Sequence, residues 1–98
     1  ALNLTTNTTG QVQMMAAAPN PFQGQTTLQY RLEAPQQINI SLYDVNGRQL
    51  STLVDQPQEA GTYTVDWQAG QYPEGVYFAR AVSGSGETLQ IIKLVKTN

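Results

Sequence analysis

The sequence predicts an all-β protein, an immunoglobulin-like β-sandwich of about seven antiparallel strands. Three observations lead there. Apolar and polar residues alternate in short runs, the pattern of strands with one buried face. Turn residues interrupt these runs at intervals of roughly ten residues, the spacing of sandwiches and barrels. No segment carries the helical period. The chain has 98 residues, 40% of them hydrophobic. That is one domain's worth, able to bury roughly 60–70% of the surface its unfolded form exposes.

The elements follow in order. Residues 1–11 are polar and aperiodic, as in Leu4-Thr5-Thr6-Asn7-Thr8-Thr9-Gly10, and read as an N-terminal tether to a domain spanning 12–98. Val12 to Ala17 opens the folded part, and Pro19-Asn20-Pro21 breaks it before Phe22. Thr26 to Glu33 places Leu28, Tyr30 and Leu32 on one face, and Ile38, Ile40 and Leu42 repeat that alternation after Ala34-Pro35. These side chains are the expected heart of the core. Asn46-Gly47 tolerates positive φ at both central positions and predicts a type I′ hairpin turn. The spacing of Leu50 and Leu53 breaks alternation, which predicts a bulge or an edge strand.

Gln56 to Gly61 reads as a loop, after which Tyr63, Val65 and Trp67 share a face opposite Thr62, Thr64 and Asp66. Trp67 is an expected core aromatic. Beyond the loop Ala69 to Gly75, the strand Val76 to Val82 has Tyr77, Ala79 and Ala81 in one phase and Phe78 and Arg80 in the other. Tyr77, just after a glycine at a strand entry, suits either core packing or a corner tyrosine bonding the backbone across the loop. Ser83-Gly84-Ser85-Gly86 turns the chain into Leu89 to Lys96. There Leu89, Ile91 and Val95 compete with Ile92 and Leu94 for the inward phase, so cover on both faces is expected for part of its length.

The composition removes most reaction chemistry. The chain has no histidine and no cysteine, so the commonest general base, thiol nucleophiles and zinc-thiolate sites are gone. The acids Glu33, Asp44, Asp55, Glu59, Asp66, Glu74 and Glu87 are scattered. No enzyme, cofactor or metal site is expected. Asp44-Val45-Asn46-Gly47 resembles the start of a calcium loop, but the positions that need glycine and glutamate hold Gln49 and Asp55, which favours a turn. Gly84-Ser85-Gly86 has no helix behind it to cradle phosphate.

The net charge is −2, with five basic residues, too few for a nucleic-acid footprint. No apolar stretch approaches the ~20 residues of a membrane span. Ala1 to Gly10 has neither a charged n-region nor an apolar h-region; if the protein is exported, its export signal is expected elsewhere in a longer precursor. Asn3-Leu4-Thr5, Asn7-Thr8-Thr9 and Asn39-Ile40-Ser41 fit the glycosylation triplet, which chance alone often produces.

The order of landmarks is more specific than any one of them. Pro19-Asn20-Pro21-Phe22 precedes Leu28-Gln29-Tyr30-Arg31-Leu32, then Ile40-Ser41-Leu42-Tyr43-Asp44-Val45-Asn46-Gly47-Arg48. Leu53-Val54, Gly61-Thr62-Tyr63, Trp67, Gly75-Val76-Tyr77-Phe78 and Lys93-Leu94-Val95-Lys96 complete the series. Over about residues 16 to 96 it closely resembles the type A C-terminal sorting domain of the type IX secretion system of Bacteroidetes-type bacteria.

The resemblance implies an address rather than a catalyst. Relatives sit at the C-terminus of larger cargo proteins and are recognised by an outer-membrane translocon after the cargo has folded in the periplasm. A sortase-like peptidase then removes the domain, here by cleavage expected within Ala1 to Ala18. The implied partners are the translocon, that peptidase and the N-terminal cargo, and the domain itself is expected as a monomer or weak dimer. The implied location is the periplasm in transit, then the cell surface or medium. The family's signature carries over to Pro19, Asn20, Pro21, Phe22, Gly47, Arg48, Gly75, Tyr77, Lys93 and Lys96, and a small Ala79 replaces a larger side chain.

Two other readings stand beside it. A structural module of the flagellar hook-capping type shares the Tyr-Asp-x-x-Gly-Arg stretch. A carbohydrate-binding module would need exposed aromatics, for which Tyr43, Tyr72, Phe78 and Phe22 are the candidates.

Overall fold

A computed structural model of the chain describes residues 12–97, with side chains from Ala16 onward; the tether and the Asn3 and Asn7 triplets lie outside the described residues. Its strands are β1 (Val12–Ala18), β2 (Gln25–Leu32), β3 (Gln36–Asp44), β4 (Gln49–Gln58), β5 (Gly61–Gln68), β6 (Gly75–Ser83) and β7 (Thr88–Lys96). They form a three-stranded sheet in the order β1-β2-β5 and a four-stranded sheet in the order β4-β3-β6-β7, with every strand pairing antiparallel. This is an immunoglobulin-like sandwich.

The predicted alternation carries directly into packing. Leu28, Tyr30 and Leu32 of β2 face Ile38, Ile40 and Leu42 of β3, all of them buried, and Phe22, Val54, Trp67, Ala69, Tyr77, Ala79, Ala81 and Leu94 complete the core. Tyr30 also ties the layers at one end, donating from its hydroxyl to Gln58 Oε1 at 2.7 Å while its ring stacks on Tyr63 at 5.5 Å.

The Leu50/Leu53 irregularity resolves as two bulges. In β4 the register against β3 slips once between Val54 and Thr52 and again between Ser51 and Gln49. Leu53 and Leu50 are the extra residues, and both pack against the core. β4 is also an edge strand, so both alternatives offered by the sequence hold. The predicted loop at Gln56 to Gly61 is shorter than expected, because β4 runs on through Pro57 to Gln58. Pro57 lacks an N–H, which an edge strand tolerates.

Two further expectations are corrected. The β3–β4 connection is not a two-residue type I′ turn. Gly47 N–H donates to Asp44 C=O at 3.0 Å and Asp44 N–H to Arg48 C=O at 3.0 Å, with Gly47 at φ 84°. Val45 and Asn46 are thus the central turn residues, and Gly47 follows them in the left-handed bulge position. The reason is Asp44, whose Oδ1 accepts from the amides of Asn46 (2.9 Å) and Arg48 (3.0 Å) and so organises a longer loop.

The ambiguous phase of β7 comes from a register shift, not from cover on both faces. Ala81 pairs with Gln90 but Val82 pairs with Thr88, leaving Leu89 as an inserted residue. The insertion lets Leu89 and Ile92 both pack on the core, while Ile91 is left 54% exposed.

Candidate recognition surface

Strand direction sorts the connections onto two poles. At one, β1 ends, β2 begins, the β3–β4 hairpin turns, β5 ends, β6 begins and β7 ends. The register Asp44–Tyr77 and Gly75–Lys96 fixes this in one sheet, and Gln25–Gln68 in the other. The opposite pole holds the start of β1, the β2–β3 and β4–β5 connections, and the β6–β7 hairpin. All ten residues to which the resemblance carries the family's signature lie on the first pole or within a few residues of it, although they are spread from position 19 to position 96 of the sequence.

Their geometry there begins with the segment between β1 and β2. Phe22 lies beside β7 as a parallel bridge to Lys96. Its N–H donates to Val95 C=O at 2.9 Å, and its C=O accepts from Thr97 N–H at 2.7 Å. Asn20 extends the clasp with its side chain, donating from Nδ2 to Lys93 C=O and accepting at Oδ1 from Val95 N–H, each at 3.0 Å. Thr26, buried, donates to Pro19 C=O at 2.7 Å and anchors the segment's other end. The peptides before Pro19 and Pro21 are cis. Pro19 to Phe22 therefore closes the outer edge of β7 from Lys93 to Thr97, a place that would otherwise present unpaired backbone groups.

Behind the clasp sits an aromatic cluster. The buried Phe22 ring meets Trp67 at 5.6 Å; Trp67 meets Tyr72 at 5.5 Å and Tyr77 edge-on at 5.2 Å. The indole N–H of Trp67 has no acceptor among the described residues. Tyr77 is a corner tyrosine, since its hydroxyl donates to Pro73 C=O in the β5–β6 connection. Burial first, then the neighbouring Asp44 and Tyr72, raise its phenol above the ordinary 10.0. Gly75 opens β6 at φ 151° and Gly47 closes its turn at φ 84°, with nothing within 4 Å of a Cβ at either. Backbone conformation, not crowding, is what selects glycine there.

The remaining signature residues are charged. Arg48 is largely exposed and pairs with Asp44 Oδ2 at 3.3 Å. The Arg48 amide foremost, then the Asn46 amide and the Arg48 charge, hold the Asp44 carboxyl below its ordinary 3.8 against the opposing effect of partial burial. Lys93 faces outward, but Lys96 is in the inward phase with Ile92 and Leu94 and is buried. Lys96 thus lies on the inner face of β7 beside the clasp residue Phe22. Burial also removes Phe22 from any exposed aromatic array, and Tyr72 is half-buried in the cluster, which leaves Tyr43 and Phe78 as a neighbouring pair. Asn39 is half-buried in β3, where its Oδ1 accepts from Ser41 at 2.8 Å.

Sequence inspection missed the clasp's mechanics. An Asn flanked by prolines far from β7 gives no local sign that its amide reads β7's backbone. The signal was the Pro-Asn-Pro-Phe string itself, a break too short for a strand and ending in an aromatic.

No cluster of three histidine, cysteine, aspartate or glutamate side chains that could hold a metal ion occurs among the described residues. The sequence profile of the family described as "Secretion system C-terminal sorting domain" matches residues 16–96. The chain belongs to that family, the C-terminal sorting domains of the type IX secretion system. Among curated proteins nothing matches it. The family is one of sorting signals rather than enzymes, and membership makes the protein an exported one.

Proposed function

We propose that the domain works end-on, with the signature pole meeting the type IX translocon and the cargo joined at the opposite pole. The carrying observation is that the ten signature residues converge on one pole while β1 starts on the other. Among the ten residues Arg48 and Lys93 are the exposed charges, and Pro19 to Phe22, Gly47, Gly75, Tyr77 and Lys96 hold the pole's shape. A strand of eight residues separates the poles by about 26 Å. A folded cargo on the chain's N-terminal side is thereby kept clear of the docking end.

The residue ranges fit the same scheme, with 12–98 as the sorting domain and 1–11 as the link to cargo. A sortase-like peptidase would cut in that link. Residues Val12 to Ala18 are hydrogen-bonded into β1–β2, and a bond held in a sheet is a poor substrate, so the scissile bond falls ahead of Val12. After passage the cargo resides at the cell surface or in the medium.

The test appends the full chain to a periplasmic reporter in a host with a working type IX system. Export of the reporter, and its loss in an Arg48→Glu, Lys93→Glu double variant that melts like the parent, is the expected result. Periplasmic retention of the intact parent fusion overturns the reading.

A further inference from the structure

The two sheets differ on their outer faces. In the three-stranded sheet, β2 and β5 turn only glutamine, threonine, arginine and aspartate outward, at alternate positions from Gln25 to Arg31 and from Thr62 to Gln68, and β1 adds the small Ala16 and Ala18. The four-stranded sheet instead carries a groove of about 600 Å³ running from the β3–β4 hairpin along the face. Tyr43, Asp44, Val45, Phe78, Arg80 and Ile91 line it, with Val45 65% and Ile91 54% exposed. Among the described residues the large exposed apolar side chains lie at this groove and not on the other sheet, which marks a binding face.

The edges of that sheet are guarded, so a partner reaches the face. β4 has two bulges and Pro57, and β7 is clasped by Asn20 and Phe22. Both devices discourage strand addition.

The groove's charge selects its occupant. Arg80 is fixed in place, its Nε and Nη2 donating to Thr88 Oγ1 at 2.9 and 2.7 Å and its guanidinium carbon 5.8 Å from the Tyr43 ring centre. Lys93 stands beside Phe78 in register. Among the described residues the ion pairs are Arg31–Glu33 and Arg48–Asp44, so neither Arg80 nor Lys93 has a carboxylate partner. A preorganised guanidinium over an aromatic ring, in a largely apolar groove whose one carboxylate, Asp44, is engaged by Arg48 and the turn amides, complements a carboxylate flanked by apolar side chains.

We infer that this groove binds a peptide segment of alternating acidic and apolar residues, presented by the secretion machinery. The partner's identity as machinery rests on the sorting reading; the chemistry of the groove does not.

The test is an NMR titration of the full chain with a short capped peptide of glutamates alternating with valine and phenylalanine. Parallel arms use the same peptide with glutamine for glutamate, and a short gluco-oligosaccharide. Shifts confined to Tyr43, Val45, Phe78, Arg80, Ile91 and Lys93 are expected. Affinity should fall about tenfold for the glutamine peptide and for Arg80→Gln, since each removes a charge-assisted contact. Ile91→Ser should also weaken binding, and Arg80→Lys should restore part of what Arg80→Gln loses. Equal affinity for the two peptides, shifts elsewhere, no shifts, or saccharide binding alone at Tyr43 and Phe78 would each overturn the inference. A second arm follows export of reporter fusions carrying Arg80→Gln and Ile91→Ser, both with parental melting. If the parent fusion stays inside the cell, the sorting reading falls and the titration still decides the groove. If parent and variants are exported alike, the groove inference falls and the sorting reading stands.

Discussion

Gly75 shows how a single residue connects sequence signature to fold. At φ 151° it occupies backbone space that side chains with a Cβ rarely enter, and nothing crowds it. Gly75→Ala should therefore cost about 1–3 kcal/mol through conformation alone. Gly70, also uncrowded but outside the positive-φ set, is the control, and Gly70→Ala should change the urea midpoint little. Equal losses at both positions would reject the conformational account. Asp44 makes a matching case in electrostatics. Its carboxyl is held below 3.8 by the Arg48 and Asn46 amides and the Arg48 charge. A carboxyl depressed in the folded state adds stability above its ordinary value, and that contribution is lost as pH falls through the folded value. The melting temperature should thus drop between about pH 5 and pH 2 with a component that Asp44→Ala abolishes. An acid limb of the same size in the variant would assign the effect to other groups.

Elements differ in how much of them the sequence discloses. Leu28, Tyr30, Leu32, Ile38, Ile40 and Leu42 could be placed in the core because strand alternation is local, and all are buried. Leu50, Leu53 and Leu89 looked out of phase because each is the extra residue of a register shift. A register depends on the partner strand, which no window of sequence contains. The hairpin at Asp44 was misassigned for a similar reason: Asn-Gly spoke for two residues, while a side chain at the loop's start set the length. The clasp is the largest case of non-local information, since Asn20 and Val95 are 75 residues apart. Phe22→Ala, which empties a buried site against Trp67, should cost about 3–5 kcal/mol. Asn20→Ala should cost only about 1 kcal/mol, because its hydrogen bonds are exposed, but it should raise amide exchange at Val95. Unchanged exchange there would mean that Phe22 alone closes the edge.

On the scale of the whole molecule, the useful property is polarity, and the fold supplies its own control for testing it. The Asp44–Arg48 and Ser83–Glu87 hairpins share one geometry. In each, the first residue's C=O accepts from the residue three on (Gly47 or Gly86) at 3.0 Å, and its N–H donates to the C=O four on. Both glycines have positive φ, 84° and 92°. Yet the hairpins sit on opposite poles of the sandwich. A short Gly/Ser insertion at Val45-Asn46 or at Gly84-Ser85 lengthens a surface loop in the same way, and each doubling of loop length adds only about 0.6 kcal/mol of closure entropy. The two insertions should therefore lower stability alike. Their effects on export of a fused reporter should separate, with loss for Val45-Asn46 and near-parental export for Gly84-Ser85. Equal export from two equally stable variants would show that the machinery does not read the domain by its end, and the polarity of the sandwich would then be a matter of folding alone.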